Sequence, residues 1–230
     1  MQSKIIGTNL PVLELTLEPG DKIVAAPDQL SWMSGNISLN TTTATGGSSG
    51  LWGAVGRALG GGGLFMTEFT AQGGRGFVAM AAKLPGTFTE VEVSPGRSYM
   101  IHRHGFVAGT HGVELATGFQ QSLGSGLFGG DGFILQRLSG TAKAWVELGG
   151  ELVSYTLEPG QDLLVHPGHV GMFEEGVGFE ITTLRGIKTI AFGGDGLFLA
   201  RLSGPGRVWL QSLTPGNLAH AVEPYLPRPH

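Results

Sequence analysis

Residues 13–17, LELTL, alternate apolar and polar side chains, and a Pro-Gly pair then leads into a second short run, DKIVAA. The arrangement returns as FTEVEVSPGRSYMI at 88–101 and as LVSYTLEPGQDLLV at 152–165. A period of two sets Leu13, Leu15 and Leu17 on one face and Glu14 and Thr16 on the other, the pattern of a half-buried strand. Proline fixes the φ suited to the second position of a turn, and glycine accepts the positive φ that a type II turn demands next. One Pro-Gly pair is common; three with matching flanks make a repeat.

A second unit repeats in step with the first. FGGDGFILQRLSG at 128–140 returns as FGGDGLFLARLSG at 192–204, and a worn copy reads GGGGLFMTEFTAQGGRGFVAM at 60–80. Laid together, Leu64, Phe133 and Leu197 correspond, as do Phe69, Leu138 and Leu202. The pieces AQGGRG, SGTAK and SGPGR then read as hairpin reversals, and Phe77, Trp145 and Trp209 are expected to open equivalent return strands. The two units alternate three times. They predict an all-β chain of three similar antiparallel β-sandwich modules, at 11–82, 87–150 and 151–213, followed by a tail at 214–230. Modules this small bury too little surface to be stable alone, so they are expected to pack together around a pseudo-threefold axis.

Three segments break the alternation. LWGAVGRALG at 51–60 spaces Leu51, Val55 and Leu59 four apart, which suits one face of a short helix bridging the first module. The equivalents GFQQSLGSGLF at 118–128 and LRGIKTIAF at 184–192 are helix or turn, and NLAHAVEPYLP at 217–227 allows a helical turn before its prolines stop it.

Composition narrows the class. With 41 glycines and 14% charged residues in 230, the chain reads as turn-rich β structure. A net charge of −4 gives no general pull toward nucleic acid or anionic lipid. The absence of cysteine removes disulfides, thiolate metal sites and a cysteine nucleophile. MQSKIIGTNLPVLELTL lacks the apolar core of a secretory signal, and no run reaches the ~20 apolar residues of a membrane span, so a cytoplasmic protein is expected.

On GDKIVAAPDQLSWMSGNISL at 20–39, the three Gly-rich units and LWGAVGRALGGGGLF, the chain resembles bacterial relatives of the mitochondrial "altered inheritance of mitochondria" biogenesis protein. That family is grouped by fold with the tryptophan RNA-binding attenuation protein. The resemblance covers about residues 5–225 and implies a TRAP-like fold, a short double-stranded β-helix, in a pseudo-threefold arrangement that often assembles further. It implies no catalytic residues, and a shared fold class does not carry RNA binding with it.

Candidate chemistry is sparse. GSGLFG at 124–129 matches a dinucleotide-loop spacing, but the run after the glycines alternates as a strand where a phosphate loop needs a helix. GGSSG at 46–50 matches a nucleophile elbow at Ser48 without the α/β framework that motif needs. RGFVAM at 75–80 echoes an RNA-binding strand, yet its alignment with the Trp145 and Trp209 strands puts Phe77 in the core. MIHRHGFVAGTHG spaces His102 and His104 two apart on an expected strand, with His111 beyond and His166 and His169 in the equivalent part of the third module. His102 and His104 are the candidate metal ligands, in a cupin-like manner, but 105–110 holds no acidic third ligand, so no metal or cofactor is expected. Trp32, Trp145 and Trp209, with Met33, Met100 and Met172, suit core or subunit interfaces.

The reading is a non-catalytic, self-associating binding or scaffold element, with an unidentified protein or small ligand as a second partner. Nucleic acid and membrane are not expected partners. Two alternatives stand beside it: a cupin-like metal enzyme using His102 and His104, and a peripheral membrane factor using the Trp52 segment. Self-association is expected because sparse charge leaves sheet edges and the apolar Trp52, Phe119 and Phe128 to be covered.

Overall fold

The computed structural model describes residues 1–43, 65–121, 132–183 and 198–226. Among them, β1 (Gln2–Ile6) precedes three sets of six strands. The first set is β2 (Val12–Leu17), β3 (Lys22–Ala25), β4 (Trp32–Met33), β5 (Ile37–Thr43), β6 (Phe65–Ala71) and β7 (Gly76–Ala81). The second is β8 (Gly86–Val93), β9 (Tyr99–His102), β10 (Phe106–Thr110), β11 (Val113–Gln121), β12 (Phe133–Gly140) and β13 (Ala142–Gly149). The third is β14 (Leu152–Leu157), β15 (Asp162–Val165), β16 (Val170–Glu174), β17 (Gly178–Thr183), β18 (Phe198–Ser203) and β19 (Gly206–Gln211). The described residues are all-β except for α1 (Pro215–Val222) and short 3₁₀ turns.

All described pairings are antiparallel and form sheets of order β1-β2-β7-β4, β5-β6-β3-β10-β13-β8, β11-β12-β9-β16-β19-β14 and β15-β18-β17. The alternating leucines account for the first: Leu13, Leu15 and Leu17 are fully buried while Glu14 and Thr16 are not. The Pro-Gly turns form as expected. Gly20, Gly96 and Gly160 have φ of 91°, 84° and 82°, and Asp21, Arg97 and Gln161 donate back to the carbonyls of Glu18, Ser94 and Glu158.

The expected hairpins do not form at the Gly-rich reversals. β12 and β13 flank the SGTAK reversal yet lie in different sheets, as do β6 and β7, and β18 and β19. Each reversal carries the chain across a sandwich. Besides β1 with β2, the consecutive strands that pair are β5 with β6, β11 with β12 and β17 with β18. Alternation fixes which face of a strand is buried but says nothing about which neighbour completes its ladder.

The two six-stranded sheets are each shared between sets. β3 of the first set pairs with β10 of the second, and β9 of the second pairs with β16 of the third. Three apolar clusters result, each drawing on two successive sheets. Trp145 on β13 is buried in the cluster of Leu13, Leu15, Ile23 and Phe69, all from the first set. Trp209 on β19 joins Tyr99 and Ile101 of the second set, its ring 5.9 Å from Tyr99 and edge-on. The tryptophans thus insert backwards into the preceding core.

Strand register corrects one equivalence. Leu17, Val93 and Leu157, each two residues before its turn proline, pair with Gly76, Ala142 and Gly206. Counting on, Trp145 and Trp209 match Ala79, and Phe77 matches Lys143 and Arg207. Phe77 is only half-buried, with Val78 and Met80 holding the core positions beside it. The longer AQGGRG reversal displaces the alignment by two residues, which leaves the apparent face unchanged. The match of Phe69, Leu138 and Leu202 holds, since they pair with Ile23, Tyr99 and Leu163.

Among the described residues, no pairing joins the third set to the first. The bridge at 51–60 with Trp52, the segment 184–192, Leu64, Leu197 and Phe128 lie outside the described residues. Phe119 packs against Phe179 and Phe133, at ring separations of 4.8 and 6.3 Å. The tail forms a longer helix than the expected single turn: Pro215 opens it, and Thr214 Oγ caps it by accepting from the Asn217 amide. No described helix is long and apolar enough to cross a membrane.

Candidate functional site

His102, His104, His166 and His169 sit in the corners that follow the second strand of the second and third sets. The three equivalent corners read APDQLS at 26–31, HRHGFV at 102–107 and HPGHVG at 166–171. His102 ends β9, and the Gly105 amide donates to its carbonyl, so Arg103 and His104 lie in a tight turn. His102 and His104 therefore do not share a strand face, and the two-residue spacing loses its meaning as a ligand pair.

Two corner imidazoles are tied to backbone. His102 Nε2 is 2.9 Å from the Glu147 carbonyl, and His169 Nδ1 is 2.8 Å from the carbonyl of Gln211. Glu147 and Gln211 occupy equivalent places, each two residues after its tryptophan. The two rings reach matching carbonyls from different corner positions. Gly105 stands where the third corner has His169, and a Cβ there would meet the His102 ring at 3.0 Å. Glycine at 105 makes room for His102.

The side chains of Glu147 and Gln211 form a second matched pair, which the sequence pattern did not single out. Glu147 Oε1 accepts from the amides of Lys83 and Leu84, at 2.8 and 3.3 Å, in the connection between the first two sets. Gln211 Oε1 accepts from the Gly149 amide at 3.0 Å at the end of β13, and its Nε2 donates to the Gly168 carbonyl. Both residues are buried. A signal for them is present in the sequence: a polar residue two places after a tryptophan shares its face of an otherwise apolar strand.

A cleft of about 860 Å³ lies between two of these corners and α1. His102, His104 and His166 line it, with Phe133, Val170 and His220 among the remaining wall. His111 stands apart, beside Met1 and Asp21. Burial pushes the His102 pKa down to about 4, against the Glu147 carbonyl and with a smaller push from His104. Burial also lowers that of His166, helped by His169. At neutral pH the first is an uncharged imidazole whose Nε2–H is donated to a carbonyl. Among the described residues, no group of three His, Asp or Glu side chains is placed to hold a metal ion. The cleft is mixed in character, with apolar walls, imidazole edges and the charged Arg103 and Glu223.

The phosphate-loop match at 124–129 and Ser48 lie outside the described residues. Trp32 departs from its counterparts. Trp145 and Trp209 are buried, whereas Trp32 on β4 is 49% exposed.

A profile described as "Mitochondrial biogenesis AIM24" matches residues 3–213. An uncharacterized protein of Streptococcus pyogenes serotype M6 is 26% identical over 222 residues, covering 94% of this chain and 87% of that protein. An X-ray crystal structure of a Streptococcus pyogenes protein aligns with a TM-score of 0.75 at 22% identity, covering 98% of this chain and 99% of that one. At that identity the likeness speaks for the fold alone.

Proposed function

The chain belongs to the mitochondrial biogenesis AIM24 family, and from that premise we propose that it is a non-catalytic scaffold that works by associating with itself. The observation that carries this reading is a contrast in how side chains are used. Among the described residues, four polar side chains of the corners are spent on backbone: His102, His169, Glu147 and Gln211 all satisfy main-chain partners. Large apolar side chains, by contrast, stand in solvent on outermost strands, including Trp32, Leu164, Val153 and Tyr155. Solvated apolar edges mark surfaces that another chain covers.

The three six-strand sets are, on this reading, three equivalent β-sandwich modules near 11–82, 87–150 and 151–213, successive members being related by one repeated rotation. Equal registers within each set support that equivalence. The scaffold acts in the cytoplasm, and the cleft beside α1 is its place for a small organic ligand. Elemental analysis of untagged protein tests the non-catalytic part. We expect well under one metal per chain; about one metal per chain, lost on His102→Ala and His104→Ala, would instead support a cupin-like enzyme.

A further inference from the structure

Among the described residues, β4 and β15 are each the last strand of their sheet and have a neighbour on one side only. Their places in the repeat are not arbitrary. β15 is the second strand of the third set, equivalent to β3 and β9, and β4 is the third strand of the first set, equivalent to β10 and β16. Wherever one set follows another, a second strand pairs with the next set's third strand. The chain makes this junction twice and ends with its two halves unused, β15 at one end and β4 at the other.

The side chains at the free halves repeat the chemistry of the made junctions. Within them, Ala108 lies opposite Trp145 and Met172 opposite Trp209, so each third strand shares its face with a tryptophan that plugs the preceding core. At the free end, Trp32 lies opposite Ala79. The tryptophan is retained but has moved to the outer strand, and the small residue has taken the inner place. Its preceding core is absent, and it is 49% exposed. On β15, Leu164 holds the place of Val24 and Met100 and is 47% exposed, whereas those two are partly covered. Leu163, Val165 and Leu202, equivalent to the Tyr99, Ile101 and Leu138 that surround Trp209, belong to the third core, which among the described residues receives no tryptophan.

We propose that β15 of one copy of this chain pairs antiparallel with β4 of a second copy, continuing the internal junction between molecules and seating Trp32 in the partner's Leu163–Val165 socket. This rests on the self-associating scaffold reading and names its surface. The register transfers directly from the internal junctions, where Ala25 faces Ala108 and Ile101 faces Met172. It places Trp32 opposite Val165, Met33 opposite Leu164 and Ser34 opposite Leu163. The contact is head-to-tail, using two different patches, so it closes as a ring or runs on as a filament according to the rotation per chain. A second copy is the matching occupant because the socket and the plug are both encoded here. The single chain does not join them, since it leaves Trp32 and Leu164 in solvent.

The chain has no cysteine, so a thiol pair reads the register without background. Met33→Cys and Leu164→Cys are made separately in the full chain, mixed, and oxidised mildly. The expected product is a disulfide-linked species of twice the 24.0 kDa chain mass, formed at least several-fold faster than by either variant alone. A chain carrying both cysteines is expected to link into a ladder of multiples. Leu164→Asp is expected to weaken association at least tenfold, with Val222→Asp, an exposed position on α1, as the unaffected control. If the double variant loses its thiols at monomer mass, the chain closes on itself and the proposal is overturned. If light scattering shows oligomers while the mixed disulfide is absent, association uses another surface and only the junction falls. Monomers throughout, with no disulfide, remove both the junction and the scaffold reading.

Discussion

Glu147 and Gln211 test how far the repeat can be used to reason about single side chains. Glu147 is buried, and burial pushes its carboxyl pKa up against the lowering effect of the Leu84 and Lys83 amides and the Lys83 charge. A folded-state value above the unfolded one means that the ionised form held at neutral pH is penalised. Gln211 does the same work without charge, donating as well to the Gly168 carbonyl, whose equivalent is that of His104. Glu147→Gln is therefore expected to leave stability equal or higher at pH 7, while Glu147→Ala orphans two amides and costs about 1–3 kcal/mol. Urea unfolding of the two variants checks the order. His102 works in the opposite sense. Its folded value of about 4 lies below the ordinary 6.5, so the unfolded chain binds the extra proton between those limits. Stability from this group is present above pH 6.5 and falls as pH drops toward 4, by about 2–3 kcal/mol relative to His102→Gln. The difference between the two proteins isolates His102 from Glu147, which shifts the other way, and from Glu175, held low by Arg137 and Ser98. Equal pH profiles would show that the imidazole is not shielded.

At the scale of strands, the legible features are those that depend on neighbours in sequence. Leu13, Leu15 and Leu17 announce a buried face, Pro19-Gly20 announces a type II turn, and Phe69, Leu138 and Leu202 match because each pairs with the residue four places after its turn proline. Pairing is not legible. The residues that decide whether β12 meets β13 or β9 belong to distant strands, and alternation is the same in either case. Phe77 falls out of register for this reason, as a two-residue slip preserves the face. The site is less legible still. The histidines are visible, but their partners are backbone carbonyls, which carry no sequence signature, and Gly105 shows its purpose only once the His102 ring is beside it. The tryptophans give the element-scale prediction. Trp145 fills the preceding core, so Trp145→Ala is expected to cost about 3–5 kcal/mol. Trp32→Ala, at an open strand, is expected to change the melting free energy of dilute protein by less than about 1 kcal/mol. Thermal melts at low concentration separate them, and equal losses would mean that Trp32 is already buried in the single chain.

For the whole molecule, successive sets share sheets and cores. A single set taken alone would expose half of each shared sheet and the cluster beneath it, so the three are expected to unfold together or nearly so. The same construction explains why the ends matter. A chain that joins its parts by one repeated junction leaves that junction's two halves at its ends unless they meet each other; among the described residues they do not pair, and Trp32 and Leu164 face solvent. The central claim is that the protein performs its role as an assembly, and sedimentation velocity over a dilution series tests it most directly. From tens of micromolar downward (about the range in which a modest interface dissociates), the account predicts a species heavier than 24.0 kDa that gives way to the single chain. A single boundary at 24.0 kDa at every concentration would contradict it.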